Sequence, residues 1–472
     1  MKSLKSNNIF ELDPERLATT DEHGHRVYLY PEDVKGLWKS RRKVFYRFLI
    51  LIYLFLPWIY FNGKPAFMID IIHREFTFLG FTLHGVEPIL FFLIAASGLA
   101  GIAFLVSSLG RVWCGWACPQ TVFIQEIFMR VEALVEGKAK ERRELDKAPW
   151  TMGKVLKRSI KWLLFIIISL HISHTFIGYF VGPRELFFIT MNGPSEHLGL
   201  FVATMTFTLI TLLDFGWFRE QFCIIACPYG RIQSVLMDEN SLVVSYNAKR
   251  GEPRRGSTSV ERPDEGDCIN CYNCVKVCPT GIDIRRGTQL ECIACTQCID
   301  ACDDIMTKLK KPKGLIGYSS ETELNGHKRK KITKRSFLYI TTSVLFMLAF
   351  IYFLGASTKL QLVFLRGKTP FQMIESGQRI TNQFTLKMSH QGEQHFKIYF
   401  KVKEVELKNL VQIITPVQPV LINTSEKKIV LFFKFSPEIL KNGTRKISVE
   451  AFDEISHQTV ATKEAVLVGP TH

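Results

Sequence analysis

Cys268-Ile-Asn-Cys271-Tyr-Asn-Cys274-Val-Lys-Val-Cys278-Pro279, followed by Cys292-Ile-Ala-Cys295-Thr-Gln-Cys298-Ile-Asp-Ala-Cys302-Asp303, is the stretch on which the reading turns. Each run places three cysteines three positions apart and a fourth four positions on, the spacing of two-cluster bacterial ferredoxins. Thiolates hold iron, and short turns between ligands let one loop envelop a cube. In that arrangement the fourth cysteine of each run crosses to the other cluster. Cys268, Cys271, Cys274 and Cys302 are then expected to hold one 4Fe-4S cluster, and Cys292, Cys295, Cys298 and Cys278 the second. Zinc also accepts four cysteines, but two complete three-plus-one runs disfavour it. The second run departs from the simple pattern by ending Cys302-Asp303 where the first has Cys278-Pro279. The aspartate either adds negative charge near a cluster or serves as a turn residue.

The rest of the chain says where this electron relay lies. It has 472 residues, 47% of them hydrophobic, and the apolar residues come in blocks. A bilayer-crossing helix needs about 20 predominantly apolar residues. Five stretches are expected to span: residues 44–61, 89–109, 162–181, 198–215 and 337–356. A sixth apolar patch, residues 76–83, is too short and reads as a loop or interfacial segment. Residues 1–34 are polar and carry no cleavable signal pattern.

Basic residues in the loops set the orientation. Lys35, Lys39, Arg41, Arg42 and Lys43 precede the first span, whereas only Lys64 and Arg74 follow it. The next loop is dense, with Arg111, Arg130, Lys138, Lys140, Arg142 and Arg143 among others, and the loop after it holds only Arg184. Lys328, Arg329, Lys330, Lys331, Lys334 and Arg335 precede the last span. The alternation places the N-terminus and the cysteine runs on the cytoplasmic side of the inner membrane and the C-terminus in the periplasm. It also explains the net charge of +16 without a nucleic-acid partner. The expected organisation is a cytoplasmic segment over residues 1–43, four spans over 44–225, a ferredoxin-like domain over 226–335, the fifth span over 336–356 and an all-β domain over 357–472. In the last, residues 395–405, 427–435 and 445–452 read as strands, with turns at Asn409 and Asn442-Gly443. Such spacing fits an Ig-like sandwich, and it holds no cysteine.

Four cysteines remain, in Cys114-Gly-Trp-Ala-Cys118-Pro119 and Cys223-Ile-Ile-Ala-Cys227-Pro228. Each pair follows an even-numbered span, which suggests an internal repeat. Proline suits the first position of a helix, so Cys118 and Cys227 are expected at helix N-caps, where the dipole favours thiolate. After Pro119, residues Ile124, Ile127, Phe128, Val131, Leu134 and Val135 recur at helical spacing. Soft thiolates at the membrane edge select copper(I), zinc or iron–sulfur centres. Spacing leaves open whether the two pairs meet.

These motifs together resemble the CcoG/FixG family, the cytochrome c oxidase accessory proteins. The resemblance covers nearly the whole chain: the five-span layout, both Cys-x-x-x-Cys-Pro motifs, the two ferredoxin runs with their Cys302-Asp303 ending, and the outer β domain. It implies reduction of copper(II) to copper(I) for assembly of a cbb-type oxidase. Cys114, Cys118, Cys223 and Cys227 would then be the copper-handling residues, with electrons from a cytoplasmic donor. It also implies contact with oxidase subunits or a copper transporter. A quinol-linked conduit and a non-enzymatic assembly scaffold are the competing expectations.

Other polar residues in the spans carry less. His171 and His174 share a face of the third span beside Thr175, as haem, copper or quinone contacts or as histidines bonded to neighbouring helices. His197 sits at a span edge, and Asp214 is expected at the interface. The sequence has no Cys-x-x-Cys-His, Gly-x-Gly-x-x-Gly or P-loop pattern, so the electron donor is expected to be a separate molecule.

Overall fold

A computed structural model describes Thr19, His23 and residues 26–61, 63–71, 75–79, 81–84, 88–195, 197–255, 265–356, 360–367, 371–374, 379–390, 396–422 and 426–470. The chain forms two compact units, one from Met1–Ile59 and Ala95–Phe346, the other from Tyr60–Ile94 and Met347–His472.

Among the described residues, four helices are long and apolar enough to cross a bilayer: Ile89–Leu109, Met152–Val181, Leu198–Phe218 and Lys334–Gly355. They contain or closely match the last four expected spans. The segment expected as the first span, residues 44–61, folds differently. Its helix is Leu37–Phe55 and carries Lys39, Arg41, Arg42, Lys43 and Arg47. Pro57 opens a 3-10 turn at Leu56–Trp58, and the chain then enters the short strand Tyr60–Phe61. Proline disfavours helical backbone in the residue before it. The cations crowd the start of this helix, and its uncharged part begins at Phe48. Its far end is fastened to the long helix Met152–Val181. Tyr53 donates to the Ile172 carbonyl at 2.7 Å, and Tyr179 donates to the Tyr53 carbonyl at 2.8 Å.

The cysteine-rich segment builds on a two-stranded antiparallel ribbon, Val243–Tyr246 with Ile316–Ser319, and on the helix Gln297–Lys308. Val244, Ile284, Ile299, Met306, Leu315 and Ile316 form its buried core. Asp303 explains a difference between the two runs. Pro279 follows the short helix Asn273–Lys276, whereas the helix carrying Cys302 runs on to Lys308 because no proline interrupts it. The Asp303 carboxylate also accepts the Gly314 N–H at 2.9 Å, closing the turn that leads back into the ribbon.

The second unit contains two packed antiparallel sheets. One runs Val411–Ile414, Glu426–Phe435, Arg379–His390, Leu360–Arg366, with Gln372–Ile374 also paired to Arg379–His390. The other runs Val420–Ile422, Phe396–Val402, Thr444–Asp453, Gln458–Val468. Strand alternation sends Phe384, Leu386, Leu431 and Phe433 of one sheet and Ile398, Phe400, Val449 and Ala451 of the other into one core. Asn442 and Gly443 both adopt positive φ, at 51° and 75°, between Lys441 and Thr444. That is why this Asn-Gly pair makes a tight two-residue turn. His395, expected to open a strand, lies outside the described residues, as do residues 357–359 and 471–472. Residues 76–83, expected as a loop, instead pair in a three-stranded antiparallel sheet of Phe67–Asp70, Glu75–Phe78 and Phe81–His84. Alternating aromatic and polar residues there follow the two-residue period of a strand.

Candidate metal centre

Two hollows open inside the cysteine-rich segment. One is bordered by Cys268, Cys271, Cys274 and Cys302. The other is bordered by Cys278, Cys292, Cys295 and Cys298, with Cys274 on its rim. Sequence-distant Cys302 and Cys278 thus each come to the three-cysteine loop of the other run.

The loops adopt the same unusual backbone. Asn270 and Tyr272 in the first run have φ of 56° and 58°, and Ala294 and Thr296 in the second have 52° and 62°. These are equivalent positions, the second and fourth residues after the first cysteine of each run. Left-handed backbone is costly for residues other than glycine. Alternating hands turn successive N–H groups inward, the concavity that suits anionic iron–sulfur groups. The Ala294 N–H points to Cys292 Sγ at 3.4 Å. Among the described residues no three His, Cys, Asp or Glu side chains converge as a single-ion site requires. Four sulfurs spread around a hollow fit a cluster better than a lone zinc.

Charge around the hollows is controlled from one side. Arg285 pairs with Asp283 at 2.7 Å, donates to Asn270 at 2.5 Å and lies 4.0 Å from the Tyr272 ring centre. Burial pushes the free thiols up, Cys274, Cys278 and Cys302 to about 12 and Cys292 to about 11. Asp303 adds to the rise at Cys302, so it contributes negative charge as well as a turn.

The two membrane-edge pairs lie within electrostatic reach of each other. Cys118 caps the helix Pro119–Phe123, and Cys227 caps Pro228–Leu236, as expected. Cys114 lies within electrostatic reach of Cys118 and Cys227, and Cys223 within reach of the other three. At Cys118 two effects oppose each other in the free thiol. Burial raises it more than the Gln120 and Thr121 N–H groups lower it. Burial likewise pushes Cys114 up to about 11 and Cys223 well above its ordinary value. Cys114 also donates to Gln233 at 3.3 Å.

This thiol group abuts the second ferredoxin run. The charge of Cys114 is felt at Cys292, and Arg111 donates to the Cys292 carbonyl at 3.2 Å. Gly115, between the two cysteines of its motif, sits against that loop. A Cβ there would lie 2.4 Å from the Ala294 carbonyl oxygen and 2.6 Å from that of Ile293. Trp116 and Tyr318 complete the seam, with Trp116 donating to Tyr318 at 3.1 Å. Gly115→Ala is expected to force the two backbones apart and cost about 1–3 kcal/mol, as overpacking does. A drop in thermal midpoint of the detergent-solubilised chain checks it; an unchanged midpoint would show that the contact is not tight.

The span histidines do not join this site. His171 is exposed and His174 half-buried, and Thr175 turns back to donate to the His171 carbonyl at 2.9 Å. His197 is exposed at the start of its helix. Asp214 accepts from Gln120 at 2.8 Å, tying the fourth span to the helix after Cys118.

Sequence reasoning missed a buried charge cluster beside the thiols. Glu132 accepts from Arg142 at 2.8 Å and from Arg219 at 2.9 Å, and Lys161 lies 2.8 Å from Glu136. Leu134, expected on the inner face, is 84% exposed. A π-helical turn at Ile124–Phe128 widens the helix by about one residue. The following turns are thereby rotated, so that Glu132 and Glu136 face inward instead.

Residues 218–321 match the family described as a 4Fe-4S dicluster domain, and residues 89–137 match a 4Fe-4S binding domain. Residues 350–470 match the IG-like fold at the C-terminal of FixG. The chain is likened to FixG by the last of these matches. It is 39% identical over 316 residues to Protein RdxB of Cereibacter sphaeroides, covering 65% of each chain. It is 37% identical over 318 residues to the nitrogen fixation protein FixG of Rhizobium meliloti, covering 61% of this chain and 59% of that one. The matched part is therefore just under two thirds of these relatives' length. A crystal structure of a FixG-related protein from Vibrio parahaemolyticus aligns over 24% of this chain and 97% of its own, at 16% identity and a TM-score of 0.20. The chain thus combines matches to 4Fe-4S domains with four helices, among the described residues, that are long and apolar enough to cross a membrane.

Proposed function

We propose that the chain reduces copper(II) to copper(I) at the group formed by Cys114, Cys118, Cys223 and Cys227, for assembly of a cbb-type cytochrome c oxidase. One observation carries the reading: the two thiol pairs lie within electrostatic reach of each other, and Cys114 within reach of Cys292 in the second ferredoxin run. The 4Fe-4S groups supply single electrons, and copper(II), as substrate, takes one to become copper(I). The residues expected to hold them are Cys268, Cys271, Cys274 and Cys302 for one and Cys278, Cys292, Cys295 and Cys298 for the other. Copper(I) prefers soft sulfur, so the thiols favour the reduced product over the substrate. Arg111 and Gly115 hold the thiol group against the Cys292 loop, which keeps the transfer short.

The distribution of loop cations supports placing both cysteine runs and the thiol group on the cytoplasmic side, with the β-sandwich on the periplasmic side. A cytoplasmic reductant is then the donor. In this arrangement the domain limits are those set by residues 43, 225, 335 and 356.

The test is Cys118→Ser in the purified full chain, reduced anaerobically and mixed with copper(II) and a copper(I) chelator. The rate of copper(I) formation is expected to fall roughly tenfold or more, at least about 1.4 kcal/mol of barrier, while the iron content and cluster absorbance stay unchanged. An unchanged rate would overturn the assignment of the thiols. Reduction of the clusters by a quinol analogue, with no copper reduction, would favour the conduit reading instead.

A further inference from the structure

An open cleft of about 770 Å³ lies between the start of the helix Leu37–Phe55 and the helix Ala139–Lys147. Lys35, Lys39, Lys43, Lys138, Lys140 and Arg143 line it, against only two carboxylates, Glu32 and Asp33. A second hollow of about 300 Å³ shares Glu32, Asp33, Lys39 and Lys43 with it and runs inward to Arg42, Arg142 and Gln297.

The carboxylates here are already committed. Glu32 pairs with Arg143 at 3.1 Å, Asp33 with Lys39 at 2.9 Å, and Glu126, on the inner wall, with Arg130 at 2.9 Å and Arg47 at 3.0 Å. Lys35, Lys43, Lys138 and Lys140 have no ion-pair partner among the described residues. Two donors on the inner wall are also unmatched. Arg142 has a side chain only 5% exposed, and its Nε finds no acceptor; the buried Nε2 of Gln125 finds none either. The unpaired lysines line the cleft, and the unmatched buried donors line the hollow that shares four residues with it.

A row of exposed lysines is ordinarily a solvated face. Here the lysines surround a concavity that adjoins unpartnered buried donors, which is the chemistry of an anion site. Six cations line the cleft against two committed carboxylates, so the anion is recognised through its charge. We propose that this cleft binds a phosphate group, presented either by an anionic lipid headgroup or by a soluble phosphate ester. The adjoining hollow reaches Gln297, next to Cys298, and Arg42, which donates to the Cys295 carbonyl. A phosphate bound there lies beside the second cysteine run.

The full chain in nanodiscs of phosphatidylcholine is titrated calorimetrically with pyrophosphate. Saturable binding is expected, weakening with added salt and at least tenfold weaker in the triple variant Lys43→Ala, Lys138→Ala, Lys140→Ala. These exposed side chains make no ion pair, so the variant is expected to keep the native thermal midpoint. Nanodiscs containing phosphatidylglycerol separate the two sources. Competition with pyrophosphate identifies the lipid headgroup, and undiminished pyrophosphate binding identifies a soluble phosphate. Absence of binding to either probe, or equal binding by the triple variant, would overturn the proposal. The readout is binding alone, so it stands or falls independently of copper reduction.

Discussion

Cys278→Ala is expected to remove one cluster and leave the other, and the one lost is held mainly by the run to which Cys278 does not belong. Iron per chain should fall from about eight to about four, since each 4Fe-4S group needs four thiolates. The surviving signal in electron paramagnetic resonance should be the one that Cys302→Ala abolishes. This follows from the hollows: Cys278 borders the one lined by Cys292, Cys295 and Cys298, and Cys302 the one lined by Cys268, Cys271 and Cys274. The two variants should also differ in function. The thiol group sits against the Cys292 loop through Arg111 and Gly115. Cys278→Ala should therefore stop delivery to the thiols, whereas Cys302→Ala should only slow their supply. If Cys278→Ala instead erases the signal that depends on Cys268, the crossed arrangement is wrong and each run wraps its own cluster.

The grouping of Cys302 with the first run and of Cys278 with the second around the two hollows follows a pattern legible in the sequence because ligand spacing is local, and the four long apolar helices were legible because long apolar runs have few alternatives. The parts that were not legible depend on geometry that no short window carries. The residues between the cysteines give no warning of left-handed backbone: Asn270 tolerates it, but Tyr272, Ala294 and Thr296 do not ordinarily adopt it. Only wrapping around a shared centre demands it. The helical pattern after Pro119 was read at a constant 3.6 period, and the π turn at Ile124–Phe128 broke that period. The same oversight hid Glu132 and Glu136, which look like surface residues in a linear reading. The first apolar block has other bounds than its apolar length suggests, because its helix starts at Leu37 and ends ahead of Pro57. The approach of the two Cys-x-x-x-Cys-Pro pairs to within electrostatic reach spans more than a hundred residues, with such ties as Gln120 to Asp214, and spacing holds no trace of it.

The buried charge cluster that the sequence concealed gives the largest expected effect on stability. Glu132 is 1% exposed and receives Arg142, Arg219 and Lys161. Burial alone would raise its carboxyl, but Arg219, with Lys161 and Arg142, outweighs burial and holds it at about 2. Arg219 reaches it from a strained backbone with φ of 50°, four residues before Cys223. Glu132 itself lies on the helix that follows Cys118 and the π turn. One carboxylate thus fastens the segment after the first thiol pair to the segment before the second. Glu132→Ala would leave Arg142 and Arg219 buried without their counter-charge, a loss of roughly 3–5 kcal/mol. Glu132→Gln keeps the shape and serves for the pH test. A carboxyl held below its unfolded value of 4.5 contributes stability above that value and loses it as pH falls through the folded one. The gap in thermal midpoint between the native chain and Glu132→Gln should therefore be full at pH 6 and shrink steadily from about pH 5 to about pH 2. A gap that keeps its size across that range would mean that Glu132 does not carry its charge in the folded chain, and the ion-pair account of how the two thiol pairs are held together would fail with it.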